Sequence, residues 1–274
     1  MNNFMIEIDT IFTNSLSGND WISLDSSEIP NRAMNFGDGL FETMVWDFKE
    51  IRFFEKHLKR LSGGMQLLNL DDSSINADGL IQFLASSFPS QRMRVRWNVY
   101  RSGQGKYTPE GNEVKQMLQI SEFKPAPKIK KKVDVSLKTQ LFPNSWSAFK
   151  TLNALPYVLA NQERKDRGLD EIILLDHRGY ISESGASNIF WVKDEVFFTP
   201  ALSCSCINGV SRQVILDYLI LKNIPFEEGE FLPSELEAAD QAFVSNCTGI
   251  SYLESYNKTH YSTFPLQHLN DLFE

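Results

Sequence analysis

Several things are scarce in this chain of 274 residues, and each scarcity closes off a class of function. No apolar run approaches the ~20 residues that a membrane-spanning helix needs, so no membrane partner is expected. Basic residues are in deficit, with 27 Lys and Arg against 35 Asp and Glu and a formal charge of −8. That balance opposes a nucleic-acid role, because phosphate-backbone binding depends on clustered Lys and Arg. Local charge can still oppose net charge, which leaves anionic small molecules open. There are only 3 cysteines, Cys204, Cys206 and Cys247. An odd number with no histidine nearby argues for a reduced, cytoplasmic setting rather than a disulfide framework. The Cys204-Ser205-Cys206 pair lacks the further ligands of a metal site, and no metal is expected. Internal repeats and low-complexity segments are absent as well.

Apolar residues make up 42% of the chain and aromatics 12%, enough for a folded protein of one large or two smaller domains. Met1 to Thr10 alternates apolar and polar residues, reading as part of a strand over 4–12 rather than a signal peptide. A second strand is expected over 41–48, after a loop carrying Pro30 and Gly37-Asp38-Gly39. Thr43 lies on that strand, where its hydroxyl faces a ligand or simply packs. Phe54, Leu58, Leu61, Met65 and Leu68 recur at helical spacing, which predicts an amphipathic helix over 53–70. His57 reads as structural there, and Arg60 by itself reads as a solvated arginine. A further helix is expected over 76–88. Met93, Val95, Trp97 and Val99 then alternate with Arg94, Arg96 and Asn98, a strand with its basic side chains on one face.

Arg101 to Tyr107 continues that strand as a glycine-rich loop. Its Arg101 and Lys106 are either carboxylate grips or part of a solvated hairpin. Lys124 to Lys132, with two prolines and five lysines, reads as an exposed connector. The expected division is an N-terminal α/β domain over 1–122, a connector over 123–132 and a C-terminal α/β domain over 133–274. Past the connector, a strand is expected from Val133, a helix over 152–167 and strands over 171–176, 188–193, 195–199 and 241–246. The clearest helix spans 209–223. Its start at Gly209-Val210-Ser211 offers backbone amides and a hydroxyl to a phosphate dianion. The Asn246-Cys247-Thr248-Gly249 turn offers a second set of donors.

The chain is organised around Lys150 and Glu183. A lysine beside Phe149 and small residues, ahead of a helix, can be buried enough to become a nucleophilic amine able to form a Schiff base. Such chemistry with pyridoxal phosphate also needs an acid for the ring nitrogen and an anion cradle. Glu183, at a strand end after the turn at Arg178-Gly179, suits the acid. Arg60, the 209–211 helix start and the 246–249 turn suit the cradle.

At these residues the chain resembles the fold-type IV pyridoxal phosphate family, which includes class IV aminotransferases and aminodeoxychorismate lyases. The resemblance runs through Asn31-Arg32-Ala33, Phe36 to Thr43, His57 to Leu61, Phe149 to Ala160, Asp170 to Phe190, Phe198-Thr199-Pro200 and Gly209 to Arg212. It implies a mixed α/β fold of two domains with pyridoxal 5'-phosphate between them, a small amino substrate and a homodimer. It assigns Lys150 and Thr43 to catalysis. To the cofactor it assigns Lys150, Glu183, Arg60, Asn188, Gly209, Val210, Ser211, Cys247 and Thr248, and to the substrate Arg101 and Lys106. Aminotransferases of the family commonly carry a tyrosine five residues after the lysine, where this chain has Leu155. The 150–155 segment and the 101–107 loop look more like the lyase, whereas Glu42-Thr43 is closer to the aminotransferases. The resemblance therefore implies 4-amino-4-deoxychorismate lyase, with an aminotransferase second and a non-catalytic binding protein of the same fold a remote third.

Overall fold

Alternation of polar and apolar residues from Arg92 to Val99, within strand Arg92–Arg101, sets the architecture of the first half of the chain, since it gives that stretch one apolar and one polar face. The computed structural model describes residues 11–14, 20–23, 31–103 and 106–273. The expected strand over 4–12 is met at Ile11–Asn14, and its residues 4–10 lie outside the described residues. By contact density the chain divides into two units, residues 1–124 with 149–153, and residues 125–148 with 154–274. The short segment 149–153, which carries Lys150, thus belongs to the first unit although the second surrounds it in sequence.

The first unit is a six-stranded sheet in the order Trp21–Ser23, Ile11–Asn14, Val114–Glu122, Arg92–Arg101, Gly39–Asp47 and Glu50–Ile51. Every pairing is antiparallel. Helices Phe54–Leu67 and Ala77–Ser87 supply Leu61, Met65, Leu80 and Leu84 to a core shared with Met93, Val95, Trp97 and Val99. Burying one such side chain contributes about 1.5–3 kcal/mol, so this layer dominates the unit's stability. Strand Gly39–Asp47 is buried almost throughout. Leu40, Met44 and Trp46 join the helical core, which by alternation leaves Phe41, Thr43 and Val45 on the opposite face.

The second unit holds two sheets. One runs Ile181–Ser184, Glu171–Asp176, Val133–Leu141, Ser255–Tyr256, Thr259–His260. The other runs Phe226–Gly229, Val196–Pro200, Asn188–Lys193, Gln241–Asn246, Gly249–Leu253, Ile129–Lys130. The last of these strands falls within the lysine-rich stretch and pairs in parallel with Tyr252 and Leu253. Helix Leu155–Asp166 carries Pro156 in its first turn and fastens to strand Val133–Leu141 through Glu163, which accepts from the Leu137 amide at 2.8 Å and the Ser136 hydroxyl at 2.7 Å. Helix Val210–Leu221 packs Val214, Ile215 and Leu219 inward. Among the described residues no helix is long and apolar enough to cross a membrane.

Gly39 is where the first sheet accepts the 149–153 segment. A Cβ there would stand 2.5 Å from the Val99 carbonyl oxygen. We expect Gly39→Ala to destabilise the protein by about 1–3 kcal/mol through overpacking against backbone, read as a lowered urea midpoint. An unchanged midpoint would mean that the strand pair is not held as closely as described.

Candidate active site

In the first unit, Lys150 is fixed by backbone pairing. Its carbonyl accepts from the Phe41 amide at 2.8 Å, and the Leu152 amide donates to the Gly39 carbonyl at 2.9 Å. The segment is therefore a short antiparallel strand on the edge residues of Gly39–Asp47, with Leu40 opposite Thr151. Phe149 packs against the unit's core and lies along Gly63 and Gly64. The half-buried Lys150 extends its amine over the Phe41 ring, 4.9 Å from the centroid. Arg96 takes the same ring at 3.8 Å. Thr43, 8% exposed, pairs with Arg96 in register.

Arg96 escaped the sequence reading as a site residue, although the alternation that puts it on this face was visible. Its Nε donates to Asn98 Oδ1 at 3.0 Å, and it forms no ion pair with any described residue. Burial first, and the neighbouring Arg94 second, pull its pKa down to about 10. A guanidinium crowded by burial and by a like charge is stabilised by an incoming anion.

On the helical side of the same strand, Glu42 binds Arg60 through two parallel bonds, Nε to Oε1 at 2.8 Å and Nη2 to Oε2 at 2.5 Å. His57 Nδ1 lies 2.6 Å from the same Oε2. All three are buried. Burial works against the Glu42 charge, but Arg60 and the His57 hydrogen bond overcome it and hold the carboxyl at about 2. Burial also lowers the His57 pKa, against the pull of Glu42 and with the help of the Arg60 and Lys150 charges, so the ring is neutral. The edge of the Arg60 fork offered to Glu42 is one that a phosphate would otherwise use.

Arg101 and Lys106 fare differently from one another. The Arg101 guanidinium is buried and engaged by protein acceptors: Asp38 at 3.1 Å, Asn112 Oδ1 at 2.6 Å and the carbonyls of Leu68, Asn69 and Gly111. It ties loops to the sheet, and a substrate carboxylate would have to displace those partners. Lys106 is exposed, and its carbonyl accepts from Arg32 Nη1 at 2.8 Å.

In the second unit, strand Ile181–Ser184 carries a register shift between Ile181 and Glu183 against its neighbour. Such bulges re-aim a side chain. Glu183 is 3% exposed, and its Oε1 accepts from the Tyr157 hydroxyl at 2.5 Å and the Ile207 amide at 3.1 Å. Burial, then the Glu183 charge, push the Tyr157 phenol well above its ordinary range, so it remains a donor. Tyr157 is a second residue missed in the sequence, because only the fold brings residues 157, 183 and 207 together.

Ile207 leads directly into the helix start. Asn188 Nδ2 donates to the Ile207 carbonyl at 2.8 Å, so Asn188 clamps the approach to Gly209. A Cβ on Gly209 would stand 1.9 Å from Asn188 Oδ1, which only glycine avoids. No side chain caps helix Val210–Leu221 at this end, and the buried Ser211 hydroxyl lies 3.3 Å from Ser245 Oγ. Val210 is the first helical residue, buried in the unit. An uncapped twelve-residue helix with a glycine entry and a nearby hydroxyl fits a phosphate dianion. The 246–249 turn is closed on itself, since the Thr248 amide and hydroxyl both donate to Asn246 Oδ1, at 2.9 and 2.7 Å. Cys247 is half-buried within it. Cys204 and Cys206 are buried free thiols, with Sγ of Cys206 directed at the Ala201 carbonyl.

A family model described as amino-transferase class IV matches residues 39–252. An aminodeoxychorismate lyase from Vibrio harveyi is 25% identical over 236 residues, covering 82% of this chain and 86% of that one. A D-alanine aminotransferase from Listeria monocytogenes is 38% identical over 100 residues, 36% of this chain and 34% of that one. Among solved structures, a 4-amino-4-deoxychorismate lyase from Pseudomonas aeruginosa superposes with a TM-score of 0.82 at 24% identity, covering 95% and 96% of the two chains. A branched-chain aminotransferase from Thermoproteus uzoniensis gives 0.83 at 20% identity, over 96% and 93%.

The buried cluster around Glu42 makes the protein acid-sensitive in a defined way. The Glu42 carboxyl sits at about 2 when folded against an ordinary value of 4.5, so its contribution is complete above 4.5 and is lost as pH falls toward 2. His57 is depressed from 6.5, so the unfolded chain takes up that proton first and stability also declines below 6.5. Urea midpoints measured from pH 7 to 3 are expected to fall in both windows, and His57→Gln should flatten the upper one. Glu42→Ala should cost about 3–5 kcal/mol at pH 7 by removing the buried carboxylate that Arg60 and His57 share. Parallel pH profiles for wild type and His57→Gln would contradict the assignment.

Proposed function

The chain belongs to the amino-transferase class IV family of pyridoxal phosphate enzymes, and within it we propose that it is a 4-amino-4-deoxychorismate lyase. It would release pyruvate and leave 4-aminobenzoate. The observation that carries this reading is the extent of likeness, since the lyase relative matches along 82% of the chain whereas the D-alanine aminotransferase matches along 36%. Leu155 at the fifth position after Lys150 supports it, because the resemblance associates aminotransferases with tyrosine there. The higher identity within that 100-residue stretch favours a class IV aminotransferase as the second reading.

Bound pyridoxal phosphate supplies an electron sink for the substrate carbon that bears the amine. In this reading Glu183 holds the ring nitrogen's positive charge, and the amides and hydroxyl at Gly209, Val210 and Ser211 hold the phosphate. Asn188 keeps that helix entry in place. Arg60, bound to Glu42, and Thr248, bound to Asn246, are secondary candidates for the phosphate, as is the half-buried Cys247. The Lys150 amine takes the proton from the amine-bearing carbon of the substrate. The neighbouring carbon–oxygen bond then breaks, the enolpyruvyl oxygen leaves with the electron pair, and a proton returned to the released fragment completes pyruvate. The remaining ring becomes aromatic, so the ten carbons of the substrate divide into seven and three.

The substrate carries two carboxylates. Arg96, with Arg94 beside it and Lys150 across the Phe41 ring, is the group whose electrostatics call for one of them. Arg101 and Lys106 remain the alternative, and of these Lys106 is the accessible one. Thr43, next to Arg96 in register, is positioned to share that contact.

Purified protein supplied with pyridoxal phosphate and aminodeoxychorismate should yield 4-aminobenzoate and pyruvate in equal amounts. Formation instead of a 2-oxo acid from an L- or D-amino acid would select the aminotransferase. Lys150→Ala should lower turnover at least ~10²-fold. Arg96→Met should raise KM roughly 10- to 100-fold with a smaller change in kcat, as expected for a lost charge-assisted contact. An unchanged KM would remove Arg96 from the substrate site.

A further inference from the structure

We propose that Tyr157 is a positioning residue that fixes the Glu183 carboxylate and biases the proton shared with a bound pyridine ring toward the ring nitrogen. The inference rests on Glu183 being the acid that faces that nitrogen. It is carried by the convergence of two donors on one oxygen, the Tyr157 hydroxyl at 2.5 Å and the Ile207 amide at 3.1 Å, both on Oε1. A carboxylate with one oxygen fixed by two donors cannot rotate freely, so the orientation of its second oxygen is set as well.

The surroundings make the pairing rigid. Helix Leu155–Asp166 is stitched to the strand end by Asn161, whose Nδ2 donates to the Gly185 carbonyl at 2.8 Å and to its own helix at Tyr157. The Tyr157 ring packs on the buried cluster of Leu141, Ala160, Ile172 and Leu174. On the other side, Asn188 holds the Ile207 carbonyl, so the amide donor is anchored too. Tyr157 and the helix-start loop thus grip the acid from two separate elements.

The electrostatic sign follows from the donors. Hydrogen bonds to the charged form of a carboxylate lower its proton affinity. A proton lying between Glu183 and a pyridine nitrogen therefore rests on nitrogen, the state in which the ring draws electrons most strongly. The Tyr157 phenol serves this purpose because its own proton is held tightly, burial and the adjacent carboxylate both disfavouring the phenolate. Removing the hydroxyl raises the proton affinity of the carboxyl and moves the shared proton away from the ring. The resulting titration belongs to the pair as a whole.

The test uses the full chain loaded with pyridoxal phosphate labelled with 15N in the ring, with the nitrogen chemical shift followed against pH in wild type, Tyr157→Phe and Glu183→Gln. Tyr157→Phe retains the ring that fills the core, and its denaturation midpoint is measured alongside. We expect wild type to show a protonated nitrogen at neutral pH, and Tyr157→Phe to move the proton partition roughly tenfold or more toward neutral pyridine. Should Tyr157→Phe fail to fold, a ring-fluorinated tyrosine at 157, a stronger donor of nearly the same shape, should move the partition the opposite way. Coincident titrations for wild type and either Tyr157 replacement, with Glu183→Gln displaced, would overturn the role of Tyr157 alone. Coincidence of Glu183→Gln with wild type as well would overturn the assignment of Glu183 on which the inference stands.

Discussion

The site in the first unit depends on two backbone hydrogen bonds that seat residues 150–152 along the beginning of strand Gly39–Asp47. They join positions more than a hundred residues apart, but the entropy of closing such a loop grows only logarithmically with its length, at about 0.6 kcal/mol per doubling. Burial of Phe149 among the core residues of the sheet and helices compensates for much of that. Once the pairing exists, strand geometry sets the direction of the Lys150 side chain. The amine is placed over Phe41, on the face that also carries Thr43 and Arg96. Nothing in the 150s alone would determine this, since the acceptor surface is made by residues 39–41.

The two faces of that strand differ in electrostatic character, one charge-balanced and the other positive. Toward the helices, Glu42 gathers Arg60 and His57 into a buried, fully hydrogen-bonded anion with one guanidinium partner. Toward the other face, Arg94, Arg96 and Lys150 accumulate positive charge, and Arg96 meets no described carboxylate. A protein with a formal charge of −8 therefore presents a local field suited to anions. The net charge, the basis for expecting no nucleic acid, said nothing about this face. Local polarity was set by strand alternation, which sums over a whole chain conceal.

What was legible in the sequence was what depends on short-range periodicity. The helix at 54–67, the alternating strand at 92–101 and the helix at 210–221 follow from spacing that the fold had only to accept. The fold-type IV resemblance, carried by ordered blocks, gave the architecture and the cofactor that the family and structural comparisons support. Illegible were features made by backbone atoms from distant segments. Arg101 read equally as a carboxylate grip or part of a solvated hairpin, because its partners, the carbonyls of residues 68, 69 and 111, leave no mark in side-chain composition. Thr248 looked like an anion donor because the acceptor that occupies it, Asn246 Oδ1, is an ordinary turn residue. Tyr157 was passed over because its partner Glu183 lies 26 residues further along the chain, and the Ile207 amide that meets the same oxygen lies further still.

Stable folds avoid uncapped helix starts, unpaired crowded arginines, irregular strand pairing and buried carboxylates, because each costs free energy that packing must offset. A missing N-cap alone costs about 0.5–2 kcal/mol. Three such compromises fall at the candidate residues: the register shift before Glu183, the glycine entry to helix Val210–Leu221, and Arg96 beside Arg94. Others lie away from them, since helices Phe54–Leu67 and Leu155–Asp166 also start without a side-chain cap, whereas Asn31 and Asn76 cap theirs. A departure therefore points to ligand chemistry only where its polar groups also suit a ligand. These three meet that condition, since the acid suits a cationic ring nitrogen, the helix start a dianion and the arginine a carboxylate. The cofactor and substrate proposed above carry each of these groups, and that chemical match, residue by residue, is what the three departures lend to the proposal.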